Sequence, residues 1–177
     1  KANPKRVVFT EANNTNTLQA ASQTKKEGVC IPILLGNEER ISKIATENNI
    51  DIEGIEIINL RHDREEARRV RYAKYLSEKL ARKGYSYLEA NEKMYDRNYF
   101  GAMMVEMGEA DAMITGSYTK YMEAIKPALD IIGTRDGVKN IAALNILNTS
   151  KGVFFMADTL VNDSPNAEQL ADIALLT

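Results

Sequence analysis

The sequence has no tryptophan, one cysteine and one histidine in 177 residues. A lone Cys30 cannot staple the fold. It precedes the apolar run Ile31-Pro32-Ile33-Leu34-Leu35, which reads as a strand, so a buried and inert thiol is expected. Disulfide-free chemistry suits a reducing cytoplasm. With His62 as the only histidine, no histidine-based metal constellation can be built. It stands at a strand–helix junction, where an acid–base role and a plain surface role are both open. No uncharged apolar run approaches the roughly 18 residues needed to span a bilayer. The apolar stretch after Lys1–Arg6 is too short for a secretory signal core. Neither a Gly-x-Gly-x-x-Gly nor a Gly-x-x-x-x-Gly-Lys-Ser/Thr motif occurs, so the usual dinucleotide and P-loop signatures are missing. The formal net charge of −2 argues against a dominant nucleic-acid surface while leaving room for a local anion site. No internal repeat or low-complexity segment is evident.

What is present is an ordinary globular composition, 44% apolar and 27% charged. Val7–Thr10, Ile31–Leu35 and Ile55–Leu60 read as strands. They alternate with helical patterns from about Thr17 to Gly28 and around Ile41, Ile44 and Ala45. Such alternation predicts a parallel sheet with helices on both faces. Asp63 is expected to cap a long helix over residues 64–83, with Val70, Ala73, Leu76 and Leu80 inward. Its other faces are rich in arginine and lysine, which fits a solvated surface with pairs such as Glu65–Arg69. Ser86 can cap a short helix, and Phe100, Met103, Met104 and Met107 mark a core-facing helix.

The chain is organised around residues 109–129. Ala112–Ile114 reads as a buried strand that stops at Thr115-Gly116-Ser117. A helix with Met122, Ile125, Leu129 and Ile132 on one stripe follows. In an α/β sheet, ligands bind outside the carboxyl ends of strands. Gly116 permits a tight turn, and a helix start favours an anion. Gly116, Ser117, Tyr118, Thr119, Lys120 and Lys126 are therefore candidate ligand contacts, although a plain strand–helix turn would look the same. Pro127 is expected to kink or break the helix near Glu123–Lys126. A hairpin-like loop separates Ile141–Leu147 from Val153–Ala157, Asp158 stands at its end, and Ser164-Pro165 reads as a helix start.

Three stretches then combine: Tyr99–Val105 with Gly108–Ala112; Pro127-Ala128-Leu129 with Ile131–Thr134 and Gly137-Val138-Lys139; and Val153–Asn162 with Pro165–Ala171. Together they resemble the phosphate acetyl/butyryltransferase family over nearly the whole chain. The stretches Ala142–Leu147 and Phe154–Asn162 look most like one branch, the transferase-like domain at the C-terminus of bacterial NADP-dependent malic enzymes. The resemblance implies a three-layer α/β/α fold with a mainly parallel sheet, part of a two-lobed phosphotransacetylase-like (isocitrate/isopropylmalate dehydrogenase-like) fold. Residues 1–140 would form the first lobe, and 141–177 would begin a second. Both ends look cut, since the chain starts at Lys1 and stops within an apparent helix.

The same resemblance implies a domain without catalytic residues of its own. It would sense acetyl-CoA or a related anion through the loop residues above with Lys126 and Asp158, and would support homo-oligomerisation. NADP and a divalent metal would belong to separate N-terminal malic enzyme domains, where malate is decarboxylated to pyruvate, and no cofactor or metal is expected here. The alternatives are a phosphate acetyltransferase moving acetyl between CoA and phosphate, and a non-catalytic dimerisation module. Departures from the transferase pattern favour the sensor. Leu80 stands where active members carry an arginine, and Lys126 replaces the arginine of an Arg-Pro-Ala-Leu stretch. Lysine keeps the charge and loses the bidentate fork that grips phosphate. The loop Glu11–Asn16 also lacks charges typical of the malic branch, a departure that counts against carrying over that branch's regulatory site.

Overall fold

The structure is a computed structural model that describes residues 3–177. The expected opening segment begins on two residues outside that range. Four parallel strands form the main sheet: β1 (Lys5–Phe9), β2 (Cys30–Leu35), β3 (Glu56–Ile58) and β4 (Ala112–Ile114), in the order β3-β2-β1-β4. Residues in register share a face: Val8 lies beside Ile33 and Met113, and Phe9 beside Leu34 and Ile114. Successive strand residues point to opposite faces, so β1 and β2 feed two cores. Val8, Ile33, Leu35 and Ile58 pack with Tyr72, Leu76, Phe100, Met103 and Met104. Phe9, Leu34 and Cys30 pack with Leu18, Ala21 and Ile41 on the other side.

Helices α1 (Thr15–Lys26) and α2 (Glu38–Glu47) supply that second core. The first is built by α3 (Glu66–Lys79), α4 (Tyr87–Lys93) and α5 (Arg97–Glu106). This is the expected three-layer architecture, and Cys30 is buried as expected. Several local expectations change. His62, not Asp63, caps the entry to α3, through a short 3-10 turn (Asp63–Glu65) in which its Nδ1 accepts from the Arg64 N–H. The buried face of α3 carries Arg69, Tyr72, Ala73 and Leu76 rather than Val70, which is exposed. Arg69 can be buried because its guanidinium donates to the carbonyls of Leu60 and His62, at 2.6 and 2.9 Å. Glu65 pairs with Arg68 at 3.0 Å instead of with Arg69. Ser86 does cap α4, as one half of a capping box with Glu89.

β4 is an edge strand rather than a buried central one. It pairs with β1, and Ile114 is exposed on the side that α1 and α2 cover over the other strands. The helix that follows, α6 (Tyr121–Ile131), runs unbroken through Pro127. It buries Ala124, Pro127 and Ile131, leaving Met122 and Ile132 exposed. Pro127 sits on the inward face, so its ring contributes to packing in place of the hydrogen bond it cannot donate.

The chain divides into two compact units, Lys1–Ile132 and Gly133–Thr177. In the second, β5 (Leu144–Thr149) and β6 (Gly152–Ala157) form an antiparallel hairpin that pairs Ile146 with Phe155. Helix α7 (Ala167–Leu176) follows. Asn166, not Ser164, is its cap, in a capping box with Gln169.

Candidate anion-binding cleft

The chain leaves β1 for β2 through α1 on one face of the sheet, and reaches β4 from β3 through α3–α5 on the other. β1 and β4 are therefore neighbours whose connections depart in opposite directions. This is the switch point at which open α/β sheets leave a crevice beyond their strand ends. Two hydrogen bonds shape it. The Thr10 hydroxyl, just past β1, and the Thr115 hydroxyl, just past β4, both donate to Asn98 Oδ1 at 2.7 Å. Asn98 is buried in the first turn of α5, which Asp96 caps by accepting from the Asn98 and Tyr99 N–H groups.

The loop from Thr115 to Lys120 turns at Gly116, whose φ of +97° suits glycine. The N–H groups of Ser117, Tyr118 and Thr119 converge, as a ligand cradle requires, and a carboxylate of the same chain fills them. Glu11 accepts from Ser117 N at 2.9 Å, Tyr118 N at 3.2 Å, Thr119 N at 2.9 Å and the Thr119 hydroxyl at 2.7 Å. Glu11 is only 6% exposed. Burial raises its pKa, but the hydrogen bonds from the Thr119 hydroxyl and the three N–H groups outweigh it and hold the carboxyl below its ordinary value.

Beside this plug lies a cleft of about 420 Å³ lined by Thr10, Glu11, Thr119, Lys93, Arg97 and Lys126, with Asp96, Asn98, Tyr99 and Glu123 completing it. The Lys93 ammonium lies 4.8 Å from the Tyr99 ring centroid. The Tyr99 hydroxyl donates to Asp130 at 2.7 Å, tying α5 to α6. Burial, then the hydrogen bond to Asp130, keep that phenol protonated. Arg97 donates to Asn13 Oδ1 in the loop after β1.

Of the residues proposed from sequence, Thr119 and Lys126 line the cleft. Ser117 and Tyr118 face Glu11, and Lys120 caps α6 through its backbone. Gly116 and the start of α6 border a separate apolar groove with Met113, Ile114 and Ile125. Asp158 lies in the second unit. Its carboxylate accepts from the N–H groups of Leu160, Val161 and Asn162, closing a local turn. Slight burial raises its pKa, and those hydrogen bonds lower it further than that. Leu80 is buried in the first core. Sequence reasoning missed Thr10, Glu11, Lys93, Arg97 and Asn98 as site residues. The available signal was the placement of Thr10 and Glu11 just beyond β1 and of Arg97 and Asn98 at the start of α5; Lys93, the last residue of α4, carried no such signal. Among the described residues, no three His, Cys, Asp or Glu side chains gather as metal ligands would.

Comparison with known proteins agrees with this architecture. Residues 1–177 match the Phosphate acetyl/butaryl transferase family. A phosphate acetyltransferase of Thermoanaerobacterium thermosaccharolyticum is 36% identical over 182 residues, covering 99% of this chain and 54% of that protein. An NADP-dependent malic enzyme of Escherichia coli is 35% identical over 181 residues, covering 98% of this chain and 23% of that protein. The EutD phosphotransacetylase structure from Staphylococcus aureus superposes with a TM-score of 0.82 at 29% identity, over 97% of this chain and 51% of that one. The chain thus spans about half the length of the transferase and about a quarter of the malic enzyme. On its sequence and on its fold, this chain belongs to the phosphate acetyl/butyryltransferase family.

Proposed function

We propose that this chain forms part of an acyl-CoA- and phosphate-binding site, and that the intact protein transfers acetyl between CoA and phosphate. The observation that carries this reading is the cleft at the β1–β4 switch point, where Lys93, Arg97 and Lys126 gather beside two threonines and Asn98. Transfer requires a phosphate oxygen to attack the thioester carbonyl, the C–S bond to break, and the departing thiolate to take a proton. The protein's main tasks are to hold two anionic reactants together and to oppose the developing negative charge. Lys126 and Arg97 would neutralise phosphate, and Thr119 would orient it. Homologous transferases align over nearly all of this chain.

A second reading, a regulatory domain of an NADP-dependent malic enzyme, is favoured by one observation. Leu80 lies within the apolar core, at a position where the resemblance noted from the sequence implies an arginine in active transferases. In this reading the cleft binds acetyl-CoA without turnover, the domain assists oligomerisation, and NADP-linked malate decarboxylation occurs elsewhere in the polypeptide.

The test is phosphate-dependent release of CoA thiol from acetyl-CoA by the intact polypeptide. The transferase reading expects turnover, with Lys126→Gln raising the KM for phosphate about tenfold, the worth of one charge-assisted hydrogen bond. Acetyl-CoA binding without thiol release, together with malate-dependent NADP reduction that acetyl-CoA alters, overturns it in favour of the second reading. Absence of both binding and turnover overturns both.

A further inference from the structure

A second concavity lies along the same carboxyl edge of the sheet, beyond β2 and β3. Its volume is about 360 Å³, and it is lined by Arg40, Arg61 and Arg97 with Asn13, Asn37, Asn59 and Tyr95. Three guanidinium groups thus converge on one pocket whose walls carry no acid. Among the described residues, no carboxylate lies within ion-pair distance of any of the three. Nearby carboxylates are engaged elsewhere. Asp96 caps α5, Glu11 fills the loop after β4, and Glu38, in the first turn of α2, is drawn to Arg64 at 3.5 Å. Glu39 is exposed in that same first turn.

The backbone that carries Arg40 and Arg61 is fixed from behind, and Arg97 is held through its side chain. Buried Arg69 grips the carbonyls on both sides of Arg61. Tyr95 lies between the two, with its ring centroid 4.9 Å from the Arg69 guanidinium carbon and 5.8 Å from that of Arg61. Asn59 accepts from the Arg61 N–H, fixing the turn after β3. Asn37 caps α2 by accepting from the Arg40 N–H. Arg97 is anchored on Asn13. Its pKa is lowered first by burial, and further by the charges of Arg40 and Arg61, against the opposing pull of Asp96 and Glu11. Like charges gathered on fixed supports without a counter-ion repel one another, and a bound oligoanion relieves that repulsion.

We propose that the Arg40–Arg61–Arg97 pocket is a binding site for a phosphate ester or diphosphate group. Guanidinium forks match phosphate oxygens two at a time, and three forks can engage more oxygens than a single carboxylate presents. The pocket adjoins the cleft at Lys126 and shares Arg97 with it, and it stands whether or not that cleft transfers acetyl groups. Arg97 borders both, so the test rests on Arg40 and Arg61, which line the pocket alone.

The experiment is calorimetric titration of the full chain with inorganic pyrophosphate at low ionic strength, on the wild type and on the Arg40→Gln, Arg61→Gln and Lys126→Gln variants. The expected result is saturable binding whose tightest site is weakened about tenfold or more by Arg40→Gln and by Arg61→Gln and little changed by Lys126→Gln. The Arg40 guanidinium makes no hydrogen bond or ion pair among the described residues, so Arg40→Gln keeps the fold and separates ligand loss from structural loss. Absence of saturable binding to the wild type overturns the proposal. So does affinity unchanged in Arg40→Gln, or a loss in Lys126→Gln equal to that in the arginine variants, which would assign the anion to the cleft.

Discussion

Glu11 fastens a loop far along the chain, and its first donor, Ser117, lies 106 positions away. Three backbone N–H groups and a hydroxyl donate to this one buried carboxylate, which therefore serves as a fixed internal anion. Replacing it with glutamine removes the charge and turns one oxygen into a donor facing other donors. Glu11→Gln is expected to cost about 1–3 kcal/mol at neutral pH, the range for leaving a buried donor unsatisfied. The pH dependence has a definite sign. Because the folded pKa lies below the ordinary value of 4.5, the unfolded chain binds the proton more readily. Stability from this group is complete above about pH 4.5 and is lost as pH falls through the folded value. Urea denaturation at pH 7 and at pH 3 checks this. The gap between wild type and Glu11→Gln should narrow at the lower pH, and an unchanged gap would mean that the charge does not hold the loop.

At the scale of elements, the site depends on how closely α5 approaches the sheet. Gly101 makes that approach possible, since a Cβ there would stand 2.9 Å from Met113 Sδ, 3.0 Å from Thr10 Cγ2 and 3.3 Å from Val8 Cγ1. Met113 is flexible and can yield, whereas Thr10 is held by its hydrogen bond to Asn98. Overpacking costs about 1–3 kcal/mol, and the better helix propensity of alanine returns about 1 kcal/mol. Gly101→Ala should thus lower stability by roughly 1 kcal/mol on that balance, and Gly101→Val by clearly more. Thermal unfolding of the pair decides it, and a stabilised Gly101→Ala would show that α5 has room to retreat.

The same elements show what was legible in the sequence. Strands and helices with strong local periodicity, such as Ile31–Leu35 and the methionines of α5, were readable because each residue's side follows from its neighbours. The buried face of α3 was misjudged at Arg69, whose carbonyl partners before the helix are invisible to a periodic pattern. β4 looked central because an apolar triplet does not reveal whether strands flank it on both sides. The loop after β4 reads as a ligand cradle in the sequence; in the structure its N–H groups close on Glu11 of the same chain. Nothing local to Ser117–Thr119 announces Glu11, and the arginines of the second pocket likewise come from three separate loop or helix starts.

At the scale of the whole chain, the two compact units are unequal in what holds them. Every member of the two apolar clusters lies between Val7 and Ile131. In the unit Gly133–Thr177, Ile173 is the buried apolar residue among those described, while Ile146 is 62% and Phe155 65% exposed across the hairpin. A two-stranded ribbon is marginal by itself, because it buries too little apolar surface to offset the ordering of its backbone. The first unit carries a four-stranded sheet covered on both faces and meets that cost. A chain ending at Ile132 is therefore expected to unfold cooperatively, with a Tm within a few degrees of the full chain. A peptide of residues 133–177 should show no cooperative transition. Circular dichroism melts of both pieces check this. Loss of cooperative unfolding from the first piece would mean that the cores around β1 and β2 depend on the second unit, and that the anion sites at the carboxyl edge of the sheet cannot be treated as properties of residues 3–132 alone.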